Sequence, residues 1–358
     1  MTDLIKLYPQ FDLDEWLDWL ANRHPDEIQL GLQRIKQVYQ SLNIPRPAPN
    51  VITVAGTNGK GSVVTLLEAI YVKAGYRVGV YTSPHLYQFN ERIRVNKEPA
   101  SNQDICKLFT WIEDNRGDIF LTYFEVVTLA ALAYFAQYQL DVVVLEVGLG
   151  GRLDAVNLID TDCAVITTVD YDHETYLGNT LESIAGEKAG IIRPLKPTVY
   201  GDYELPEAIQ NKTNQVDSPL YLLGNQFDFE QTGESFTCRV YNTQFPILSD
   251  IHPQACVTAL MTVTQMQSLP VLTDDALEAI GHCQVPGRLE WIIGCPMWLL
   301  DVAHNMQAVK RLYDAIDNRK ITGDIRIIFA VYKDKPYTQI IELMAKLSQN
   351  WYIAPLNN

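Results

Sequence analysis

Clustered basic residues are missing from this chain. Its 28 lysines and arginines are outnumbered by 43 acidic residues, giving a formal charge of −15, which excludes binding nucleic acid through a basic face. Long apolar runs are missing too. The longest, VVTLAALAYFA at 126–136, is too short to span a bilayer and follows Glu125, so a buried helix is expected and no membrane anchor. The first residues, MTDLIKLYPQFDLDEWLDWL, have neither the basic start nor the apolar block of a signal peptide, so export is not expected. Cysteine is sparse: Cys106, Cys163, Cys238, Cys256, Cys283 and Cys295 form no CxxC pair, which argues against structural zinc and for a reducing cytoplasm. No internal repeat or low-complexity tract occurs. What the chain does have is 358 residues at 47% hydrophobic content, enough for a soluble protein of two domains.

Between residues 12 and 42 apolar side chains recur at helical spacing, with Trp16, Leu17 and Leu20 in one group and Ile28, Leu32, Ile35, Val38 and Leu42 in the next. Two helices are expected before the first strand. After the connector IPRPAPN at 44–50, short β-branched runs (VITVA at 51–55, YRVGVYT at 76–82, VVVLEV at 142–147, CAVITTV at 163–169) alternate with helical segments at 62–74, 102–114 and 124–138. This alternation predicts an α/β fold. A phosphate-loop-containing, mostly parallel sheet would carry helices on both faces, with ligands beyond the carboxyl ends of its strands. From 220 to 247, runs around Gly, Asn and Thr read as antiparallel hairpins at the edge of that domain. Helices are expected at 253–267 and 274–282. The segment QVPGR at 284–288 marks a hinge, dividing a first domain, 1–284, from a second, 285–358. The second opens as a smaller Rossmann-like α/β unit (WLLDV, a helix near 305–317, RIIFAVY, a helix near 336–348, WYIAPL) with too few strands to close a sheet, and is expected to be incomplete.

The segment GTNGKGS at 56–62 follows a strand and opens a helix. Its glycines let backbone amides approach phosphate oxygens, Lys60 adds a point charge, and the helix start at Ser62 favours an anion. Only two residues separate Gly56 from the Gly59–Lys60 pair, where the common pattern has four, so this is a variant loop. The competing reading is a glycine turn before a surface lysine. Glu146 ends LDVVVLEV just before GLGGR, at a strand end where a magnesium ligand would face bound phosphates; otherwise it is a solvated carboxylate or a partner of Arg152. In TVDYDHETYLG, Asp170 and Asp172 stand beside His173 after the next strand, where a histidine serves either as ligand or as structural hydrogen-bonder. Lys188, in GEKAGIIRP, reads as a surface ion pair with Glu187. The segment DVAHN at 301–305 puts Asp301, His304 and Asn305 at a helix start, with capping the default for Asn305.

Together these segments resemble the bacterial folylpolyglutamate synthase/dihydrofolate synthase family, within the ATP-dependent Mur ligase superfamily. The likeness runs over nearly the whole chain through LGLQRI (30–35), GTNGKGS (56–62), YTSPHL (81–86), LTYFE (121–125), LEVGLGGRLDAVN (145–157), DHETYLG (172–178), EKAGI (187–191), PGRLE (286–290) and DVAHN (301–305). The resemblance implies that Gly59, Lys60, Gly61 and Ser62 hold ATP phosphates, with Arg288 and Asp301 as second-domain contacts to ATP. It implies that Ser83, Glu146 and His173 coordinate magnesium, two ions in all, and that Lys188 is carbamylated, which needs a neutral amine and carbon dioxide. Lys60, Lys188 and His304 would be catalytic, His304 lying near the phosphates or the incoming glutamate. A pteroate pocket is implied at Gln29, Leu30, Gly31 and Leu32, at Thr122, Tyr123, Phe124 and Glu125, and at Leu153, Asp154 and Ala155.

The implied activity is an ATP-dependent amide ligase joining L-glutamate to dihydropteroate and to reduced folates through an acyl phosphate. A cytoplasmic monomer, independent of nucleic acid and membrane, is expected. Two departures from the family pattern matter. HPQACVTAL leaves Gln254 or Ala255 where an adenine-contacting Asn is usual, and family members continue beyond the APL segment. A shortened second domain implies exposed apolar edges, weak closure over ATP and low activity; the alternative is a pterin- or ATP-binding protein that no longer catalyses. A cell-wall Mur ligase is the other alternative, but the 50 residues before the loop leave no room for its nucleotide-sugar domain.

Overall fold

Asp12 accepts the Glu15 N–H while the Glu15 carboxylate accepts the Asp12 N–H, so α1 (Leu13–Asn22) begins on a capping box. Trp16 and Leu20 are fully buried beneath it, and Ile35 and Val38 do the same for α2 (Gln33–Ser41). The computed structural model describes residues 11–356 except 24–28, 233–234, 248, 250, 320 and 334; Ile28, expected in the second helix, lies outside the described residues. Two compact units make up the chain, Met1–Cys283 and Gln284–Asn358.

The first unit is built on β1 (Asn50–Ala55), β2 (Val78–Tyr81), β3 (Ile93–Val95), β4 (Glu98–Pro99), β5 (Val142–Glu146), β6 (Cys163–Ile166), β7 (Thr198–Tyr200) and β8 (Leu220–Leu222), in the sheet order β4-β3-β2-β5-β1-β6-β7-β8. Every pair from β2 to β8 is parallel, and β3 and β4 add antiparallel. Residues 142–145 of β5 are fully buried, as continuous β-branched runs are when both faces of a parallel sheet are covered. Each such side chain contributes roughly 1.5–3 kcal/mol of burial. The helices are α3 (Lys60–Lys73), α4 (Asn102–Asn115), α5 (Tyr123–Phe135), α6 (Glu174–Leu177), α7 (Leu181–Ala189), α8 (Glu207–Gln215), α9 (Pro253–Gln265) and α10 (Thr273–Gly281). The apolar run at 126–136 forms α5 and its C-cap, and the helix is buried on all sides after Phe124. Among the described residues no helix is long and apolar enough to cross a membrane.

From β1 the chain passes beyond β5 to β2, then returns to β5 and crosses to β6. The order thus reverses beside β1, and the loops after β1, β2, β5 and β6 leave at one end of the sheet, the crevice where such folds bind ligands. The segment 220–247 differs from expectation. Leu220–Leu222 pairs parallel with β7, and β9 (Phe227–Thr232), β10 (Ser235–Val240) and β11 (Thr243–Ile247) form a separate antiparallel sheet. In the second unit β12 (Glu290–Ile292) pairs antiparallel with β13 (Trp298–Leu300), and β14 (Ile327–Phe329) pairs parallel with β15 (Trp351–Ile353). Val309 and Ile316 of α11 (Met306–Asn318) pack with Ile340 and Met344 of α12 (Tyr337–Met344) as its core.

Candidate active site

Gly56 turns the chain out of β1 with φ +147°, and a Cβ there would lie 1.9 Å from Thr167 Oγ1. Gly59 then caps α3 from the left-handed region, so no side chain caps the helix. The first amides of α3 belong to Lys60, Gly61 and Ser62, and a helix start of this kind favours an anion. The residues after β6 brace the loop. Thr57 and Asn58 donate their N–H groups to Thr168 O (2.9 Å) and Thr168 Oγ1 (3.0 Å), and Thr167 Oγ1 donates to Asn58 O at 2.6 Å. Lys60 Nζ donates to Gly56 O at 2.9 Å and Thr57 O at 3.3 Å. Its charge therefore lies inside the curl of the loop, which a surface lysine after a simple turn would not do.

Glu146 ends β5 and is buried. Because β2 pairs with β5 up to Tyr81↔Leu145, the chain leaving β2 passes beside this carboxylate, and Ser83 N–H donates to Glu146 Oε2 at 3.3 Å. Both Glu146 oxygens stand 3.9 Å from where a Cβ on Gly61 would be, so a glycine there lets α3 begin against the carboxylate. Ser83 Oγ is buried with no hydrogen-bond partner among the described residues, at a cost of about 1–3 kcal/mol. His173 opens α6 from φ +51°; its Nε2 is 3.9 Å from Asp172, and its side chain is 42% exposed. It belongs to the loop after β6, at the same end of the sheet.

Arg152, one alternative partner for Glu146, pairs instead with Glu187 at 2.7 Å. The expected surface pair between Lys188 and Glu187 is therefore corrected. Lys188 follows Ile184 and Ala185 by four and three residues on the buried face of α7 and is 3% exposed. Burial first, and then the positive charge of Lys60, pushes its ammonium down to about 7 against the pull of Asp172.

Three distant stretches meet nearby. Gly31 N–H donates to Leu153 O at 3.3 Å. Arg34 of α2 donates to Gln29 O at 2.9 Å and pairs with Glu125 at 3.1 Å, linking 29–32 to 122–125. Thr122 caps α5, and Glu125 accepts the Thr122 N–H at 2.8 Å. Phe124 packs 6.0 Å from Tyr81, and Tyr123 lies 5.8 Å from the Arg92 guanidinium. Leu30 and Leu32 are half-buried and Ala155 is buried. Asp154 accepts the Leu149 and Val156 N–H groups at 2.8 and 3.0 Å, and burial still raises its carboxyl to about 6.

Residues 54–226 match the Mur ligase middle domain family. Over 356 residues the chain is 38% identical to the dihydrofolate synthase/folylpolyglutamate synthase of Escherichia coli K12, covering 99% of this chain and 84% of that protein. The chain belongs to the dihydrofolate synthase/folylpolyglutamate synthase family. A solved structure of E. coli FolC in complex with DHPP and ADP is 38% identical and superposes with a TM-score of 0.94, over 98% of this chain and 84% of that one. A bifunctional folylpolyglutamate synthase/dihydrofolate synthase with Mn, AMPPNP and L-glutamate bound gives 0.90 at 38% identity, over 98% and 85%.

In this family member Gln254 is buried, and its side-chain amide donates to Gly201 O; Ala255 beside it is buried as well. Within the second unit, Asp301 accepts the Leu289 and Ala303 N–H groups, both at 2.8 Å, and burial raises its carboxyl. That fixes the backbone next to Arg288. His304 Nδ1 lies 2.9 Å from Val302 O, and Asn305 caps α11 through the Ala308 N–H. Sequence reasoning missed Arg34, Thr167 and Thr168. Arg34 stood in LGLQRI, and the threonines stood in CAVITTV, but nothing local announced their partners.

Proposed function

We propose that this chain is an ATP-dependent ligase that joins L-glutamate to dihydropteroate and to reduced folates. Family membership supports the chemistry. For the site, the carrying observation is Ser83 Oγ, buried and without a hydrogen-bond partner among the described residues, on a residue whose N–H donates to the Glu146 carboxylate. Hard oxygen donors of this kind fit Mg²⁺, which takes few protein groups. Ser83, Glu146 and His173 would hold the cation, whose part is to neutralise phosphate charge.

The acceptor carboxylate attacks the γ-phosphorus of ATP, the bond to the bridging oxygen breaks, and ADP leaves an acyl phosphate. The amino group of L-glutamate then attacks the acyl carbon, loses a proton and expels phosphate, so that an amide remains. Gly59, Lys60, Gly61 and Ser62 cradle the phosphates, and no protein nucleophile is required. Lys188, as a neutral amine, would add to carbon dioxide with loss of a proton, and the resulting carbamate would offer a carboxylate to a second Mg²⁺. The pteroate part sits on 29–32, 122–125 and 153–155. In the second domain, 285–358, Arg288 and Asp301 are assigned to ATP and His304 to the phosphates or the glutamate by the family likeness alone. We take the enzyme to be cytoplasmic, in keeping with six cysteines that are all free, and a monomer by the family expectation.

Phosphate release measured with ATP, L-glutamate and either dihydropteroate or a reduced folate tests this, with Lys60→Ala as control. Stimulation by a pterin substrate in wild type, lost in the variant, is expected. Pterin binding without stimulated release would leave only a binding protein.

A further inference from the structure

Ser83 lies in an irregular loop, residues 82–88, between β2 and the short 3-10 turn Phe89–Arg92. Beyond the Ser83 N–H bond to Glu146, other contacts must hold the rest of this loop, where Tyr87 is 67% exposed. The segment immediately after it does so. Thr82 N–H donates to Arg92 O at 2.9 Å. The N–H groups of Leu86, Tyr87 and Gln88 all point at the Glu91 carboxylate, at 2.7, 2.9 and 2.7 Å. Arg92 Nε donates to His85 Nδ1 at 2.9 Å, and Arg94 donates to Thr82 Oγ1 at 3.3 Å and to Glu91 O. Arg94 is in turn anchored at 2.8 Å on Glu68, a buried carboxylate of α3 that also accepts the Lys97 N–H at 3.0 Å. Since α3 begins with Lys60, Gly61 and Ser62, one guanidinium connects the Ser83 loop to the helix that carries the phosphate-loop residues.

We infer that Glu91, Arg92 and Arg94 are positioning residues that hold Ser83 Oγ beside Glu146 for a divalent cation, and that the Arg94–Glu68 pair keeps this loop in register with α3. The inference rests on the metal reading of Ser83 and Glu146. A neutral hydroxyl is a weak ligand and contributes affinity only if it is already in place, because ordering a loop at the moment of binding opposes the binding. Outer-shell groups of this kind typically govern about 10–100-fold in metal affinity.

The test uses the full chain. Mn²⁺ affinity is titrated calorimetrically in the presence of ADP for wild type, Glu91→Gln, Arg94→Lys, Ser83→Ala and the Ser83→Ala/Glu91→Gln double variant, alongside unliganded melting curves. Glu91→Gln turns an amide NH₂ toward the loop's donors, and Arg94→Lys keeps the charge but loses the fork. Both should weaken Mn²⁺ by about 10–100-fold, raise the Mg²⁺ concentration needed for half-maximal phosphate release in proportion, recover turnover at saturating Mg²⁺ and leave the KM for the pterin substrate unchanged. If Glu91 acts through Ser83, the double variant binds Mn²⁺ no worse than Ser83→Ala alone. Additive losses overturn the inference, as does unchanged Mn²⁺ affinity in Glu91→Gln and Arg94→Lys with Ser83→Ala weakened, even if those variants melt lower. Unchanged affinity in Ser83→Ala itself removes the metal reading, and the clamp with it.

Discussion

Lys188 offers the sharpest test of the site. With its ammonium pushed down to about 7 from an ordinary 10.5, about half of the side chains are neutral at pH 7, against roughly one in 3000 for an exposed lysine. That difference corresponds to about 5 kcal/mol between the two protonation states, and it supplies the free amine that carbon dioxide requires. The sign is fixed. The neutral fraction falls from about nine-tenths at pH 8 to about one-tenth at pH 6, so the proposed carbamate should form on the alkaline side and be lost on the acid side. Enzyme stripped of carbon dioxide at low pH should regain phosphate release with added bicarbonate, in step with a carbamate signal from carbon-13 bicarbonate in the NMR spectrum. Lys188→Ala should show neither signal nor turnover, and acetate should restore part of the turnover by supplying a carboxylate. Full activity in Lys188→Ala, or an active wild type without a carbamate resonance, would refute the argument. In the uncarbamylated protein the same shift makes stability rise between about pH 7 and 10.5, where the unfolded chain holds a proton that the folded chain has lost.

Lys60→Ala should fold normally and lose about 10²–10³-fold in kcat; melting curves with retained turnover would contradict its role. Gly56→Ala forces a Cβ to within 1.9 Å of Thr167 Oγ1, so the phosphate loop must shift. ADP affinity is expected to drop by about tenfold or more, and an unchanged ADP titration would show that the loop does not need that turn. Arg34→Ala releases Gln29 and Glu125 together. A rise of about tenfold in the KM for the pterin substrate at nearly constant kcat is expected, and an equal rise in the KM for ATP would mean that the residue supports the whole fold instead.

The long elements were legible in the sequence. VITVA and VVVLEV are short β-branched runs that favour strands, and the largely apolar stretch at 126–136, longer and rich in Ala and Leu, favours a buried helix. The strands β3, β4, β7 and β8 have two or three residues each, too few to show a period, and β8 was absorbed into the hairpin pattern that follows it. Ser83 could not have been found locally, because its place depends on β2 pairing with β5 some sixty residues later. Lys188 was misread for another reason. Adjacent opposite charges suggest a surface pair, whereas the inward turn of α7 is set by Ile184 and Ala185 and by Arg152 taking Glu187 away.

The Glu125 carboxylate closes the box that starts α5 and also holds Arg34 against Gln29. A mutation there would be felt in folding yield and, on the proposed pterin pocket, in substrate preference, so natural variation at that position should be rare and accompanied by change at 34. The box constrains its two ends and is indifferent to what lies between. If the proposed pterin pocket holds, Tyr123, which lies between the two ends of the box, is the letter that a lineage could rewrite to alter its appetite for one pterin over another without relearning how to build the helix.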